Sequence, residues 1–209
     1  MEKVVTVILI LCLCLMPVQI QAKSVTSGTD DNGNKWTYNT STKTLVFTGD
    51  KAISDFAMNG HDREPSWYRW SNKTEHIVIE EGITGIGSEA FSSFTETKSI
   101  TMGESVKRIN RMAFWANVSL KEIKLSSNIT VIQGDALSGG RELETIKLPM
   151  RLRKMCSLSG QEKLEKIVMP DSITNMQSAM FSECKKLKYI KLPAKIKEIK
   201  SYDFAAVSY

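Results

Sequence analysis

The sequence predicts an α/β-type repeat solenoid, in which successive turns of the chain stack and each turn adds one short strand to a parallel sheet. Triplets whose first and last residues are apolar recur at 77–79, 100–102 and 123–125, a spacing of 23 residues. The first and third side chains of a triplet would point to the same side of a strand, so this spacing is typical of a strand with one apolar face. Further apolar residues follow at fixed offsets. Because one repeat cannot bury these residues alone, neighbouring repeats must stack.

The first 22 residues are typical of a secretory signal peptide. Lys3 precedes an apolar run from Val4 to Met16, and Pro17 and a short polar region ending at Ala22 follow. The run is shorter than the roughly 20 apolar residues that a spanning helix needs. We therefore predict a signal peptide over residues 1–22, with cleavage after Ala22, and no membrane span once it is removed.

Residues 23–73 are predicted to form an N-terminal β-hairpin cap and a linker. Residues 23–31 are small and polar, which indicates a flexible start. Apolar and polar residues alternate at 35–38 and 44–48 on either side of turn residues, which predicts a hairpin. A lone hairpin is marginal in water, so it must pack on the array. Residues 53–70 are rich in aromatic residues without a period and predict an irregular linker, with a turn at 65–68 that enters the array.

Residues 74–209 are predicted to form the array, with about six repeats. The first strand isoleucines of successive repeats are separated by steps of 23, 23, 23, 21 and 23 residues. Apolar residues stand two, six and nine positions after each of them, and an aromatic residue or leucine stands fourteen after most of them. The six strand isoleucines are Ile77, Ile100, Ile123, Ile146, Ile167 and Ile190.

Each repeat is predicted to place a strand on one side of the coil and a short helical or 3₁₀ turn on the other. The Ala-Phe step that ends the repeat, as at Ala90 and Phe91, is flanked by serine and glutamate and suits such a turn. Six strands would give a single parallel sheet roughly 24 Å long, because parallel strands lie about 4.8 Å apart. We expect this sheet to line a concave face.

The repeat resembles the BspA-type leucine-rich repeat of bacterial surface proteins. The segment Leu-Glu-Lys-Ile-Val-Met-Pro at 164–170, followed by Phe181 and Cys184, carries the resemblance most clearly. Residues 36–49 and 65–68 also look like the family's N-terminal unit. The resemblance implies a curved leucine-rich repeat fold and a secreted or bacterial cell-surface location. The sequence departs from the family at Gly140 and Gln161, which replace the family cysteine, and at the short fourth repeat, where we expect a bulge or tight turn near Cys156 and Ser157.

The charge of the chain is concentrated in its second part. The net charge is +5, yet residues 23–140 carry 13 basic and 14 acidic side chains, whereas residues 141–209 carry 14 basic and 8 acidic ones. Outside the signal peptide only Cys156 and Cys184 remain, too few for a disulfide scaffold. We predict that both are free thiols packed in the core, although a disulfide between them is compatible with secretion.

We find no catalytic constellation in the sequence. It has no glycine-rich phosphate loop, no paired-cysteine zinc site and no nucleophile elbow, and its two histidines, His61 and His76, stand apart in the chain. We therefore expect no enzyme activity, no cofactor and no metal. Nucleic acid is not expected as a partner, because the stacking aromatic residues that single strands need are missing from the strands.

The outward positions of the predicted sheet contain a candidate binding face. One residue before and one residue after each strand isoleucine point away from the core, because side chains alternate along a strand. In the later repeats four of these positions are lysines and one is a tyrosine, which suit an acidic protein patch or an acidic glycan. Lysines at such positions also keep a sheet soluble and block edge pairing. The candidate residues are Lys124, Lys147, Lys166, Tyr189 and Lys191.

Two functions are compatible with these features. The first is a secreted or surface-displayed binding module, used in adhesion to, or recognition of, a host or neighbouring-cell protein or glycan. The second is a structural or scaffolding unit that assembles with another chain end to end. The second hypothesis depends on the last repeat, which reaches Phe204 and is followed by no polar capping unit in this sequence.

Overall fold

The computed structural model describes residues 25–56, 64–200 and 202–207. The predicted signal peptide at residues 1–22 and part of the predicted linker, at residues 57–63, lie outside the described residues, so both stay predictions. Among the described residues no helix is long and apolar enough to cross a membrane.

The N-terminal cap is a three-stranded antiparallel unit. The predicted hairpin is confirmed as β2 (Lys35–Asn39) paired with β3 (Thr44–Thr48). The flexible start is wrong, because Val25–Thr29 forms β1 and pairs antiparallel with β2. Gly28 in β1 lies against the indole of Trp36, and a Cβ at this glycine would stand only 2.7 Å from that ring. The strand is therefore held by backbone pairing and by a close approach of the indole rather than by apolar side chains of its own.

The cap continues without interruption into the array. The strand β3 pairs in parallel with β4 (His76–Ile79), which pairs with β6 (Ser99–Met102), which in turn pairs with β8 (Glu122–Lys124). The register places Leu45, Ile77, Ile100 and Ile123 side by side. This agrees with the 23-residue period, and we number the coils from 1 to 6 by their strand isoleucines.

The single six-stranded array sheet that we predicted is interrupted at coil 4. The first sheet ends at β8. Coil 4 contributes only an isolated bridge between Thr145 and Lys166, and a second sheet contains β10 (Lys166–Val168) and β11 (Tyr189–Lys191) in parallel register. The array therefore has two strand ladders with a break between coils 3 and 4.

Each of the first three coils also contributes a two-residue strand that the sequence did not predict. These strands are β5 (Gly85–Ile86), β7 (Arg108–Ile109) and β9 (Val131–Ile132), and they form a second parallel sheet. A bridge between Val131 and Lys154 extends this pairing into coil 4. The coils thus stay stacked here although their main strands separate at the break.

The turns on the far side of the coil are not helical, so the predicted helical or 3₁₀ turns and the α/β label are not confirmed. In the described parts of the chain the one helical segment is a 3₁₀ turn at Tyr68–Trp70, in the predicted linker. In coils 1 and 2 each turn contains two left-handed residues four positions apart, with φ of 58° at Glu89 and 60° at Ser93, and 53° at Met112 and 57° at Ala116.

Left-handed residues aim the amides of the turn at the next coil instead of back along the chain. The amides of Glu89, Phe91 and Ser93 donate to carbonyls of coil 2, each one position before the counterpart of the donor, at 3.0, 2.9 and 2.8 Å. A helix would bond these amides to carbonyls four residues earlier in the same chain. The turn is therefore a third set of bonds between coils.

The short coil 4 omits one of these left-handed positions. Coil 3 has them at Asp135 and Gly139, and coil 5 has them at Ala179 and Glu183, whereas coil 4 has only Gly160. The expected tight turn near Cys156 and Ser157 lies at Ser159 and Gly160, where Ser159 N donates to Ser157 Oγ at 3.0 Å. The two missing residues have shortened the far side of the coil.

The core is one continuous cluster that runs through the cap and the coils. Phe47, Trp67 and Phe91 meet where the cap joins coil 1, with ring centroids 4.9 Å apart for Phe47–Trp67 and 5.3 Å apart for Phe47–Phe91. Cys156 and Cys184 are buried separate thiols, and Cys184 Sγ donates to the Leu158 carbonyl at 3.2 Å. The structure thus favours the thiol form of both cysteines.

Candidate functional site

The candidate residues lie on the outward side of the main strands, in two rows. The first row contains the residue before each strand isoleucine, and the second row contains the residue after it. Register pairs His76 with Ser99 and Ser99 with Glu122 in the first row, and Val78 with Thr101 and Thr101 with Lys124 in the second. The first row ends with Thr145, Lys166 and Tyr189, and the second with Lys147, Val168 and Lys191.

The structure exposes all five candidate residues but does not align the lysines in one stripe. Lys166 lies in the first row, and Val168, which is 44 % exposed, separates Lys147 from Lys191 in the second row. Lys166 and Tyr189 are direct neighbours, and the Lys166 Nζ lies 5.0 Å from the centre of the tyrosine ring. The face therefore has two groups, one on coils 3 and 4 and one on coils 5 and 6.

The charges of these lysines are not neutralised locally. Within the part of the chain that the structure describes, no carboxylate forms an ion pair with Lys124, Lys147, Lys166 or Lys191. Lysines elsewhere on the coils do form such pairs, as in Lys163–Glu142 at 2.7 Å and Lys185–Glu162 at 3.4 Å. The positive charge of the face is thus available to a partner.

A cleft of about 690 Å³ opens where the main sheet is interrupted. We name it the inter-coil cleft, since β8 and residues 145–151 of coil 4 form its two sides. Lys124 and Lys147 lie on opposite sides of it, and Lys121 and Arg151 also line it. Leu125, Leu148 and Met150 supply its apolar surface. The sequence reasoning thus found two of its basic residues and missed the cavity between them.

A column of carboxylates that joins the first coils stops at the coil where the cleft begins. The residue four after the strand isoleucine is Glu81 in coil 1 and Glu104 in coil 2, and each accepts the backbone N–H of its counterpart in the next coil, at 2.7 and 2.8 Å. In coil 5, Asp171 does the same for Ala194 at 3.2 Å. Coils 3 and 4 have Ser127 and Met150 at this position, so this column has no carboxylate to join coil 3 to coil 4 or coil 4 to coil 5.

Glu104 is held in its charged form by the coil that follows it. Its carboxylate accepts a hydrogen bond from Ser127 Oγ at 2.6 Å as well as from Ser127 N. These bonds hold the pKa of Glu104 below its ordinary value. Glu104 is thus occupied by a structural contact, although it lies at the edge of the cleft.

Met150 is a residue of the cleft that could have been found in the sequence by comparing the residues four after each strand isoleucine. It stands where the other coils have glutamate, aspartate, serine or alanine, and its side chain is 76 % exposed. A large apolar side chain that is this exposed in an outward column is informative, because exposed apolar surface often marks an interaction site. The sequence therefore contained this signal, but the prediction used only the positions directly before and after each strand isoleucine.

No chemistry of the catalytic or metal-binding kind emerges in the described part of the chain. No group of three or more His, Cys, Asp or Glu side chains in residues 25–56, 64–200 and 202–207 could hold a metal ion. His76 is half-buried, and its Nδ1 lies 2.8 Å from the Ser99 hydroxyl in the same row. Burial raises the pKa of the Cys156 thiol to about 12, which makes it a poor nucleophile.

Comparison with known proteins identifies the repeat. The family model described as the BspA type leucine rich repeat region matches residues 64–159 and 156–209, in six copies. No curated protein matches the chain.

Solved leucine-rich repeat structures share the fold. A leucine-rich repeat protein from Eubacterium ventriosum is 18 % identical with a TM-score of 0.72, over 82 % of this chain and 45 % of that one. One from Bacteroides ovatus is 23 % identical with a TM-score of 0.64, over 90 % and 50 %. The T. pallidum leucine rich repeat protein is 20 % identical with a TM-score of 0.60, over 83 % and 82 %. The chain spans about half the length of the first two.

Proposed function

Because the chain belongs to the BspA-type leucine-rich repeat family, we propose that it is a secreted or surface-displayed binding module whose outward strand face recognises an acidic macromolecule. The ligand is an acidic patch of a protein or an acidic glycan on a host or neighbouring cell. The predicted signal peptide supports export. No catalytic residue, cofactor or metal enters the proposal.

The observation that carries the proposal is the unpaired lysine face. Lys124, Lys147, Lys166 and Lys191 are exposed, and none has a carboxylate partner among the described residues, whereas three lysines at other positions, Lys163, Lys185 and Lys188, pair with acids of adjacent coils. Clustered like charges repel one another, and an acidic partner relieves that repulsion. The attraction is screened over roughly 8 Å at physiological salt, so binding should weaken as salt rises.

Tyr189 adds a contact of another kind. Its ring is 51 % exposed and lies beside Lys166 and, in the same strand, two residues before Lys191. An exposed aromatic ring between two cations suits a ligand that has both a negative charge and a flat or apolar surface. This group on coils 5 and 6 would act together with the group on coils 3 and 4.

Retention on heparin and on immobilised poly-glutamate tests the proposal. The chain from Lys23 onward should be retained on at least one of them at low salt and released as salt rises. Lys147→Glu with Lys166→Glu should abolish retention with an unchanged far-UV spectrum. The control is Lys185→Glu with Lys186→Glu, in the turn after Cys184, which makes the same charge change away from the face. The proposal would be overturned if both double variants lost retention equally, or if the wild-type chain were not retained at all.

End-to-end assembly is a second candidate function, favoured by one observation. The apolar side chains of Ile199 and Tyr202 in the last described coil are 53 % and 68 % exposed, and β11 has no strand beyond it among the described residues. Such a surface can stack on another coil. Light scattering over a range of concentrations distinguishes the two functions. A monomer at all concentrations opposes assembly, and a growing mass that falls on Ile199→Asp supports it.

A further inference from the structure

We propose that the inter-coil cleft is the specificity site of this face, and that it takes an extended acidic peptide segment with one large apolar anchor residue. This inference rests on the proposed function, because it places the acidic partner at the same surface. It goes further in naming a polypeptide as the partner and a particular subsite as its anchor.

The cleft has a free backbone edge on one side. The main sheet ends at β8, and Thr145 bridges to Lys166 on the opposite side instead of pairing with Glu122. The amides of Lys121 and Lys188 donate to carbonyls of the preceding coil, at 2.9 Å in both cases, but the corresponding amide of Glu144 makes no such bond among the described residues. An unpaired strand edge favours an extended peptide, because a peptide backbone offers matching donors and acceptors.

The cleft also has apolar surface that the coil stack does not cover. Met150 is 76 % exposed, and Leu125 is half-buried beside it in the cavity, with the buried Leu148 below. In coils 1, 2 and 5 the column of Met150 has a carboxylate that closes the gap to the next coil. Ser127 replaces that carboxylate on the coil 3 side of the cleft, and Met150 gives a flexible apolar wall on the coil 4 side, which suits an inserted side chain.

The charges around the cleft favour acidic flanks on that segment. Four basic side chains, Lys121, Lys124, Lys147 and Arg151, line the cavity with two acidic ones, Glu104 and Glu122. The Glu104 carboxylate stays charged, but its oxygen is already bound to Ser127, and the basic side chains outnumber the acidic ones. The positive potential therefore selects carboxylates, and the apolar floor selects a side chain such as leucine or phenylalanine. Acidic glycans have no comparable apolar side chain, so a peptide fits this cleft better.

A peptide set with one variable position tests the inference. Fluorescent peptides Glu-Asp-X-Asp-Glu, with X as each of the twenty residues, are titrated against the chain from Lys23 onward at low salt. We expect X as leucine or phenylalanine to bind about tenfold more tightly than X as serine, which is the gain from burying one such side chain. Met150→Ser should remove that preference and keep the weaker charge-driven binding.

Matched variants separate the cleft from the rest of the face. Val168→Ser removes an exposed apolar side chain from the second row outside the cleft, and it should leave the preference for X intact. The cleft inference would be overturned if Met150→Ser and Val168→Ser lost the preference for leucine or phenylalanine at X equally. Binding of the wild-type chain that does not depend on X would also overturn it. If heparin or poly-glutamate retention still depends on Lys147 and Lys166 in that case, the proposed function survives. Failure of retention and of all peptides would overturn both.

Discussion

Phe91 and Phe114 occupy the same position in consecutive coils, and their rings are stacked with centroids 5.4 Å apart and planes within 7°. Both side chains are fully or almost fully buried. Phe181 and Phe204 repeat the relationship in coils 5 and 6, with centroids 5.6 Å apart. Each ring is thus part of the contact between coils as well as of the interior of its own coil.

Phe114→Ala should therefore destabilise the chain by roughly 3–5 kcal/mol, because it removes a buried ring and leaves a cavity between adjacent coils. Urea unfolding followed by far-UV circular dichroism measures the change. Trp115→Ala is the matched control, since that neighbouring side chain is 39 % exposed and its loss should cost much less. Equal midpoints for Phe114→Ala and the wild-type chain would show that the register of the coils is wrong.

Cys156 and Cys184 should be unreactive thiols in the folded chain. Burial raises the pKa of Cys156 to about 12 and that of Cys184 to about 11, so almost no thiolate exists at neutral pH. Titration with a thiol reagent should find both groups blocked in native buffer and both accessible in denaturant without reductant. No reactive thiol in denaturant would mean a disulfide that joins coils 4 and 5.

Glu75 should link stability to pH in the acid range. Its carboxylate lies 2.5 Å from both Lys43 Nζ in the cap and Lys98 Nζ in coil 2, and these hydrogen bonds lower its pKa from 4.5 to about 2. A lowered folded-state pKa stabilises the fold above the unfolded value, and this contribution is lost as pH falls from 4.5 through about 2.

The test is the difference in unfolding free energy between wild type and Glu75→Gln. It should be largest near neutral pH and should shrink over that window, and salt should reduce it because the pair is at the surface. Glu80→Gln is a suitable control, since this nearby exposed carboxylate has no ion pair among the described residues. A constant difference between pH 4.5 and about 2 would contradict the pairing.

Hydrogen exchange should locate the break in the main sheet. The amides of Lys121 and Lys188 donate to the coil before them, whereas the described structure gives the amide of Glu144 no such acceptor. Amides without a protein acceptor exchange through small local openings, so Glu144 should lose protection far sooner than the other two. Similar protection at all three positions would mean that coils 3 and 4 are joined by a continuous ladder.

The parts of the fold that the sequence predicted are those that depend on apolar period. The spacing of Ile77, Ile100 and Ile123 in the sequence equals the register in which their strands pair, so the coils and their strands could be predicted from spacing alone. The strand β1 did not, because its residues at 25–29 have no apolar alternation and pair through the backbone. The left-handed turns did not, because Glu89 and Met112 are not residues that usually mark such a conformation.

The break and its cleft were hidden for a related reason. Coils 3 and 4 keep the apolar pattern, with Ile123 and Ile146 both buried, so their strands look equivalent in the sequence. The difference lies in a polar column, where Ser127 and Met150 replace the carboxylates of coils 1 and 2. Five exposed site residues could be predicted from alternation, but the cavity between two of them depends on bonds that are absent.

The interrupted ladder between coils 3 and 4 also has a mechanical meaning. A module that is tethered at one end and holds a partner at the other transmits tension from coil to coil through the bonds that join them. At this junction the main strands do not pair and the column of Glu104 has no carboxylate in coil 3 or coil 4, so tension passes through the second sheet and the far-side turns. Under a pulling force we expect the chain to yield here first, with the cap and coils 1–3 on one side and coils 5 and 6 on the other still folded.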